Sequence, residues 1–319
     1  MTDAKATSAA PVERHDTPMR FSGMRAAKSA GAGRLPDFII IGASKSGTTT
    51  LWQYLRQHPQ VFLAEPKEPE FFSKDDRHAL GVDSYKALFA PATDDQRCGE
   101  ASTTYTRWPH FGDVPARMAE VIPNARLIYI MRHPVDRTYS NYRHRMRLDV
   151  PRWTFEEALE ADPMFIDTSM YMKQIEPYLA CFPRESLLCL LLDDLKRDPG
   201  AVLQQVQAHI GVNQVDLTSE GAIASNTIAS AGDDFARQRL RKIKRLAPGY
   251  HKIKHLIPDR LKDGLLGALT NSPMGKRLKR GYQPSPLTPE TRARLLHEFE
   301  GPNRELAAFL GRDLSMWNT

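Results

Sequence analysis

The chain has 319 residues, 41% hydrophobic and 26% charged. These are proportions of an ordinary globular protein, and they exclude a collagen-like, coiled-coil or wholly disordered chain. The longest apolar runs, Phe38 to Ala43 and Leu187 to Leu192, are far shorter than the roughly 20 residues of a membrane-spanning helix. Three cysteines, Cys98, Cys181 and Cys189, show no CxxC spacing, so neither a zinc site nor a disulfide framework is expected. The net charge of +6 is unevenly placed: residues 235–282 carry fourteen Lys and Arg against Asp259 and Asp263. A basic segment on an otherwise acidic chain points to one local anionic contact and away from nucleic acid as a partner.

Residues 1–34, rich in Ala, Ser, Gly and Arg, read as a disordered tail preceding a domain over 35–319. The tail lacks the apolar core of a signal peptide, which gives an expectation of a cytoplasmic protein. Asp37 to Ile41 reads as a buried strand, followed by a glycine-containing loop and a helix with Leu51, Trp52 and Leu55 on one face. Val61 to Leu63, Arg126 to Met131 and Leu187 to Leu192 read as further strands. Pro134 opens a helix striped by Val135, Tyr139, Tyr142 and Met146; Thr154 to Glu157 forms a capping box, and Asp198-Pro199 starts another helix. Strands alternating with helices imply an α/β fold with a parallel central sheet flanked by helices.

The first strand-to-helix loop, Gly42-Ala-Ser-Lys-Ser-Gly-Thr-Thr-Thr50, sets backbone N–H groups and hydroxyls at the positive end of a helix, which suits an anion. Its GxxxxG spacing imitates a Walker A loop, but Thr48 stands where the nucleotide-clamping lysine belongs, and Lys45 lies inside the loop. In the second junction Arg132 ends a strand and Ser140 lies two turns along the next helix, so both can converge on one phosphate.

Lys45 to Leu51 resembles the 5′-phosphosulfate loop of sulfotransferases that use 3′-phosphoadenosine 5′-phosphosulfate (PAPS), and Arg132 to His144 resembles that family's 3′-phosphate element. The resemblance implies a P-loop-kinase-like fold. It assigns donor contacts to Lys45, Ser46, Gly47, Thr48, Thr49, Thr50, Arg132 and Ser140, and needs no metal. By its place in the motif, Lys45 would stabilise the bridging oxygen of PAPS. Lys67-Glu-Pro-Glu-Phe-Phe72 resembles the Lys-Glu-x-x-Phe-Phe segment of glycan sulfotransferases, which makes Glu68 the expected catalytic base, Glu70 its rival, and the phenylalanines packing beneath. Gly99-Glu-Ala-Ser102 departs from the Gly-Glu-Lys-Ser of heparan-modifying members, so a polyanionic acceptor is not expected. Glu70, Glu100, Ser102 and Tyr105 are candidate acceptor contacts.

Lys279-Arg-Gly281 resembles, with two residues exchanged, a Lys-Gly-Arg loop that closes over the 3′-phosphate, so Arg280 is a further donor candidate. Phe309 to Trp317 resembles the family's last helix and its packing tryptophan. Within 235–282, apolar residues at helical spacing among Lys and Arg read as basic helices, either packed on the core or lying on an anionic membrane through 235–270. The expected function is sulfuryl transfer from PAPS to a hydroxyl, or less readily an amine, of a carbohydrate, glycolipid or small metabolite, releasing adenosine 3′,5′-bisphosphate (PAP). The rivals are a P-loop kinase or NTPase, for which Leu190 to Asp194 supplies a Walker B-like strand, and a nucleotide-dependent membrane adaptor without catalysis.

Overall fold

The computed structural model describes residues 33–147, 153–219, 272–273, 276 and 283–319. The expected tail up to residue 32, Arg280 and all but Ser272, Pro273 and Lys276 of the basic segment lie outside the described residues. Arg34, just ahead of the expected domain start, has its guanidinium 3.1 Å from Asp37 and 3.3 Å from the Thr93 carbonyl.

Five strands, β1 (Phe38–Gly42), β2 (Val61–Leu63), β3 (Arg97–Ala101), β4 (Arg126–Met131) and β5 (Leu187–Leu191), form one sheet in the order β2-β3-β1-β4-β5. Every pairing is parallel. Period-two alternation sends β1 side chains to opposite faces. Ile39 and Ile41 join Leu127, Tyr129 and Met131 in one core, while Phe38 and Ile40 join Ile128 and Ile130 in the other. Both faces are covered, as a parallel sheet requires. Helices α1 (Thr48–Leu55) and α10 (Pro199–Ile210) close the second face through Leu51, Leu55, Val202, Val206 and Ile210. The first face is closed by Phe71, Phe72, Tyr85 of α3 (Val82–Lys86), Met118 of α4 (Val114–Val121) and residues of α8 (Tyr171–Leu179). Between β2 and α3 lies the short α2 (Asp75–His78).

Four further helices build a satellite core. Val135 and Tyr142 of α5 (Pro134–Arg145) pack with Phe155, Ala158 and Leu159 of α6 (Phe155–Ala161), Phe165 of α7 (Met164–Asp167), and Leu295 and Phe299 of α11 (Pro289–Leu310). The capping box at Thr154 and the Asp198 cap of α10 both form, each side chain accepting a backbone N–H three residues on. The third long strand stops one residue short of its expected end. Leu192 opens α9 (Leu192–Arg197), a turn that carries Asp193 and Asp194 away from the strand line.

The order β2-β3-β1-β4-β5 makes β1 central, with connections leaving it toward both edges. Ligands of such sheets bind outside the carboxyl ends of the strands where the connections diverge. The loops after β1 and β4, and the segment after β3, lie there.

Candidate active site

The loop after β1 is tied to the sheet by the Ala43 N–H, which donates to the Ile130 carbonyl at 2.8 Å. Gly47, with φ of 94°, turns the chain into α1, a left-handed conformation that favours glycine. No side chain caps α1 and its first turn holds no acidic residue, which leaves the N–H groups of this turn to an incoming anion. Ser46 and Thr48 are buried, Lys45 and Thr50 half-buried, and Thr49 exposed.

Arg132 follows β4 and reaches back to this loop, its Nη1 donating to the Lys45 carbonyl at 3.5 Å and its Nη2 standing 3.9 Å from Asp136. Ser140 and His144 are one turn apart on α5 and so share a face. Burial drives the His144 imidazole down to about 3, and Lys45 is foremost among the cations that reinforce the effect, ahead of Arg147, Arg107 and Arg145. His144 is therefore neutral at physiological pH.

After β2, Lys67 to Phe72 forms a tight turn whose phenylalanines are completely buried. Phe71 stacks on Tyr85 at 4.4 Å, and Phe72 meets Tyr105 edge-on at 5.7 Å. Above them, Glu68 Oε1 pairs with Lys67 Nζ at 2.5 Å, and Oε2 accepts from the Thr103 N–H at 2.8 Å and the Thr103 hydroxyl at 3.1 Å. The Glu68 N–H donates to the Ala101 carbonyl at 3.0 Å. Burial raises the Glu70 carboxyl above its ordinary value, with Lys74 the largest opposing charge.

Among the described residues, the non-glycine positions with positive φ are Lys45 at 71°, Glu68 at 66° and Glu70 at 55°. Left-handed backbone costs a residue with a Cβ of order 1 kcal/mol, and such strain collects at functional sites. All three positions belong to the two segments singled out for chemistry from their sequence.

Three candidate acceptor contacts need correction. Glu100 and Ser102 are completely buried and Tyr105 is 2% exposed, so none of them lines a cleft. They form instead a bracket under the acidic turn. Glu100 accepts from Tyr85 at 3.0 Å, Tyr105 at 2.7 Å and Ser102 at 2.7 Å, while the Ser102 hydroxyl accepts the Glu70 N–H at 3.0 Å. The Walker B-like acids are likewise engaged elsewhere. Asp194 is bonded by Arg312 and Arg197, and Asp193 accepts from the Trp317 indole at 3.5 Å. Trp317 is buried, as its packing role requires.

Burial pushes the Glu100 carboxyl up to about 7 from 4.5. Its folded value is the higher one, so its contribution to stability is complete below the unfolded value near 4.5 and is lost as pH rises through 7. The stability advantage of the wild type over Glu100→Gln should shrink by roughly 3 kcal/mol across that window, read from urea unfolding at pH 4.5 and 8; a difference independent of pH would contradict the assignment.

Reading the sequence by itself passes over Thr103, which orients Glu68, as well as Arg107, whose charge bears on Glu70 and His144, and the neutral His144. The run of hydroxyls at 102–104 was the available signal for Thr103. His144 was signalled by its position one turn beyond Ser140.

The sequence profile of the sulfotransferase domain matches residues 35–229. The chain is 30% identical over 204 residues to human bifunctional heparan sulfate N-deacetylase/N-sulfotransferase 3, covering 58% of this chain and 23% of that protein. It is 32% identical over 197 residues to mouse heparan sulfate glucosamine 3-O-sulfotransferase 3B1, covering 58% and 48%. The matched region thus spans only 23% to 48% of the length of these curated relatives. A sulfotransferase from Alicyclobacillus acidocaldarius superposes with a TM-score of 0.62 at 24% identity, over 90% of this chain and all of that one, and shares its fold.

Proposed function

The chain belongs to the sulfotransferase domain family, and from that premise we propose that it transfers a sulfuryl group from PAPS to an acceptor hydroxyl, with Glu68 as base and Lys45 at the leaving group. The observation that carries this reading is the left-handed backbone of Lys45, Glu68 and Glu70, together with the double anchoring of Glu68 by Thr103.

The donor fits the residues present. The uncapped first turn of α1 accepts the 5′-phosphosulfate, and Arg132 and Ser140 take the 3′-phosphate. PAPS supplies an activated sulfuryl group whose bond to the 5′-phosphate breaks as the bond to the acceptor oxygen forms. Glu68 Oε1 receives the acceptor's proton, while Thr103 holds Oε2 and fixes the carboxylate plane. Lys45 balances the charge that collects on the departing phosphate oxygen. Such transfer depends on in-line placement and charge stabilisation more than on covalent help from the protein.

The acceptor class is a carbohydrate, glycolipid or small metabolite, and relatives named for heparan sulfate make glycans the first class to test. The absence of lysine at Ala101, a buried residue closing β3, favours an acceptor less anionic than heparan.

Arg132→Ala removes charge-assisted contacts to the 3′-phosphate, so calorimetric titration should show PAP affinity falling by about 10- to 100-fold. Unchanged affinity would place the 3′-phosphate elsewhere.

A further inference from the structure

We propose that Tyr171 is a positioning residue for the donor's 3′-phosphate, acting through the backbone of Arg132; the inference rests on the reading of Arg132 given above. Arg132 lies at the corner between β4 and α5, beyond the strand and ahead of the helix. Its peptide groups must find partners from some other element. Both meet one hydroxyl: the Arg132 N–H donates to Tyr171 Oη at 3.2 Å, and Tyr171 Oη donates to the Arg132 carbonyl at 2.5 Å.

The guanidinium itself is held loosely, with contacts at 3.5 Å to the Lys45 carbonyl and 3.9 Å to Asp136. Distances of that length orient a side chain weakly. The direction in which Arg132 leaves the backbone is therefore set mainly by the peptide, and the peptide is set by Tyr171. The tyrosine is well fixed for this purpose. It is 1% exposed, and its ring lies 5.9 Å from Tyr129 and 5.8 Å from Trp317, which also lies 6.4 Å from His133. Burial raises its hydroxyl above the ordinary value, so it keeps the proton that it donates. Tyr171 thus ties α8 to the phosphate corner from 39 residues away.

The test compares PAP with adenosine 5′-monophosphate, which lacks the 3′-phosphate, by calorimetric titration of wild type, Tyr171→Phe, Arg132→Ala and Tyr178→Phe. Tyr178 is the matched control. It lies on the same helix, is equally buried, and donates its hydroxyl to the Tyr105 carbonyl at 2.8 Å, away from Arg132. Tyr171→Phe should weaken PAP about tenfold and leave the monophosphate within about twofold, with KM for PAPS rising and kcat retained. Tyr178→Phe should leave the ratio of the two affinities unchanged, whatever it does to the melting temperature. A Tyr171→Phe ratio equal to wild type, with a reduced ratio in Arg132→Ala, overturns the inference and leaves the reading of Arg132 standing. An unchanged ratio in Arg132→Ala removes that reading, and the inference with it. An equal fall in Tyr178→Phe and Tyr171→Phe would assign the effect to general loosening of α8 and also overturn it.

Discussion

Glu68→Gln should lower kcat by about 10²- to 10⁴-fold, the range for loss of a positioned general base, while PAP affinity stays near wild type. Glutamine keeps an oxygen able to accept the Thr103 N–H and hydroxyl that now reach Glu68 at 2.8 and 3.1 Å, so that anchor is retained while the proton acceptor and its ion pair with Lys67 are lost. The comparison with Glu70→Gln is informative because the two acids differ in surroundings. Burial raises the Glu70 carboxyl, and its N–H is tied to the Ser102 hydroxyl. Single-turnover rates of the two variants separate the roles: a greater loss in Glu70→Gln than in Glu68→Gln would exchange base and support.

Lys45→Ala should reduce kcat by about 10²- to 10³-fold, comparable to removal of one preorganised donor at a developing oxyanion. Lys45 reaches the site from left-handed backbone, φ 71°, between the end of β1 and the first turn of α1. Lys45→Gly relieves that strain and should be at least as stable as Lys45→Ala, yet be equally inactive. The measurement is turnover with a chromogenic or mass-resolved acceptor, beside thermal unfolding. Activity in Lys45→Gly close to wild type would show that the loop needs its shape and not its ammonium group.

Much of the fold was legible because short β-rich runs and helix caps are local signals. Arg126–Met131 forms a strand with the expected ends, and the Thr154 and Asp198 caps form as their spacing demands. The proposed donor half of the site rests on two strand-to-helix junctions, each contiguous in sequence, which is why it could be put forward from the sequence. The acceptor half was less legible. Glu100, Ser102 and Tyr105 look like site residues in the sequence, polar and adjacent to a strand end. Only the three-dimensional packing shows that Tyr85, fifteen residues upstream, closes over Glu100 and turns the group into a buried bracket. Asp193 and Asp194 misled in the same way, since Arg312 and Trp317 come from the far end of the chain. Tyr171 left no mark in the sequence at all, because its partner is a peptide group 39 residues away and not a side chain.

The central claim is a donor carrying a 3′-phosphate and recognised without a Walker lysine. It is tested most directly by calorimetric titration of wild type and Lys45→Ala with PAP and, in parallel, with ATP plus magnesium. Sulfuryl transfer from PAPS predicts tight PAP binding that does not depend on magnesium, with ATP much weaker. Preference for magnesium ATP over PAP would contradict the account.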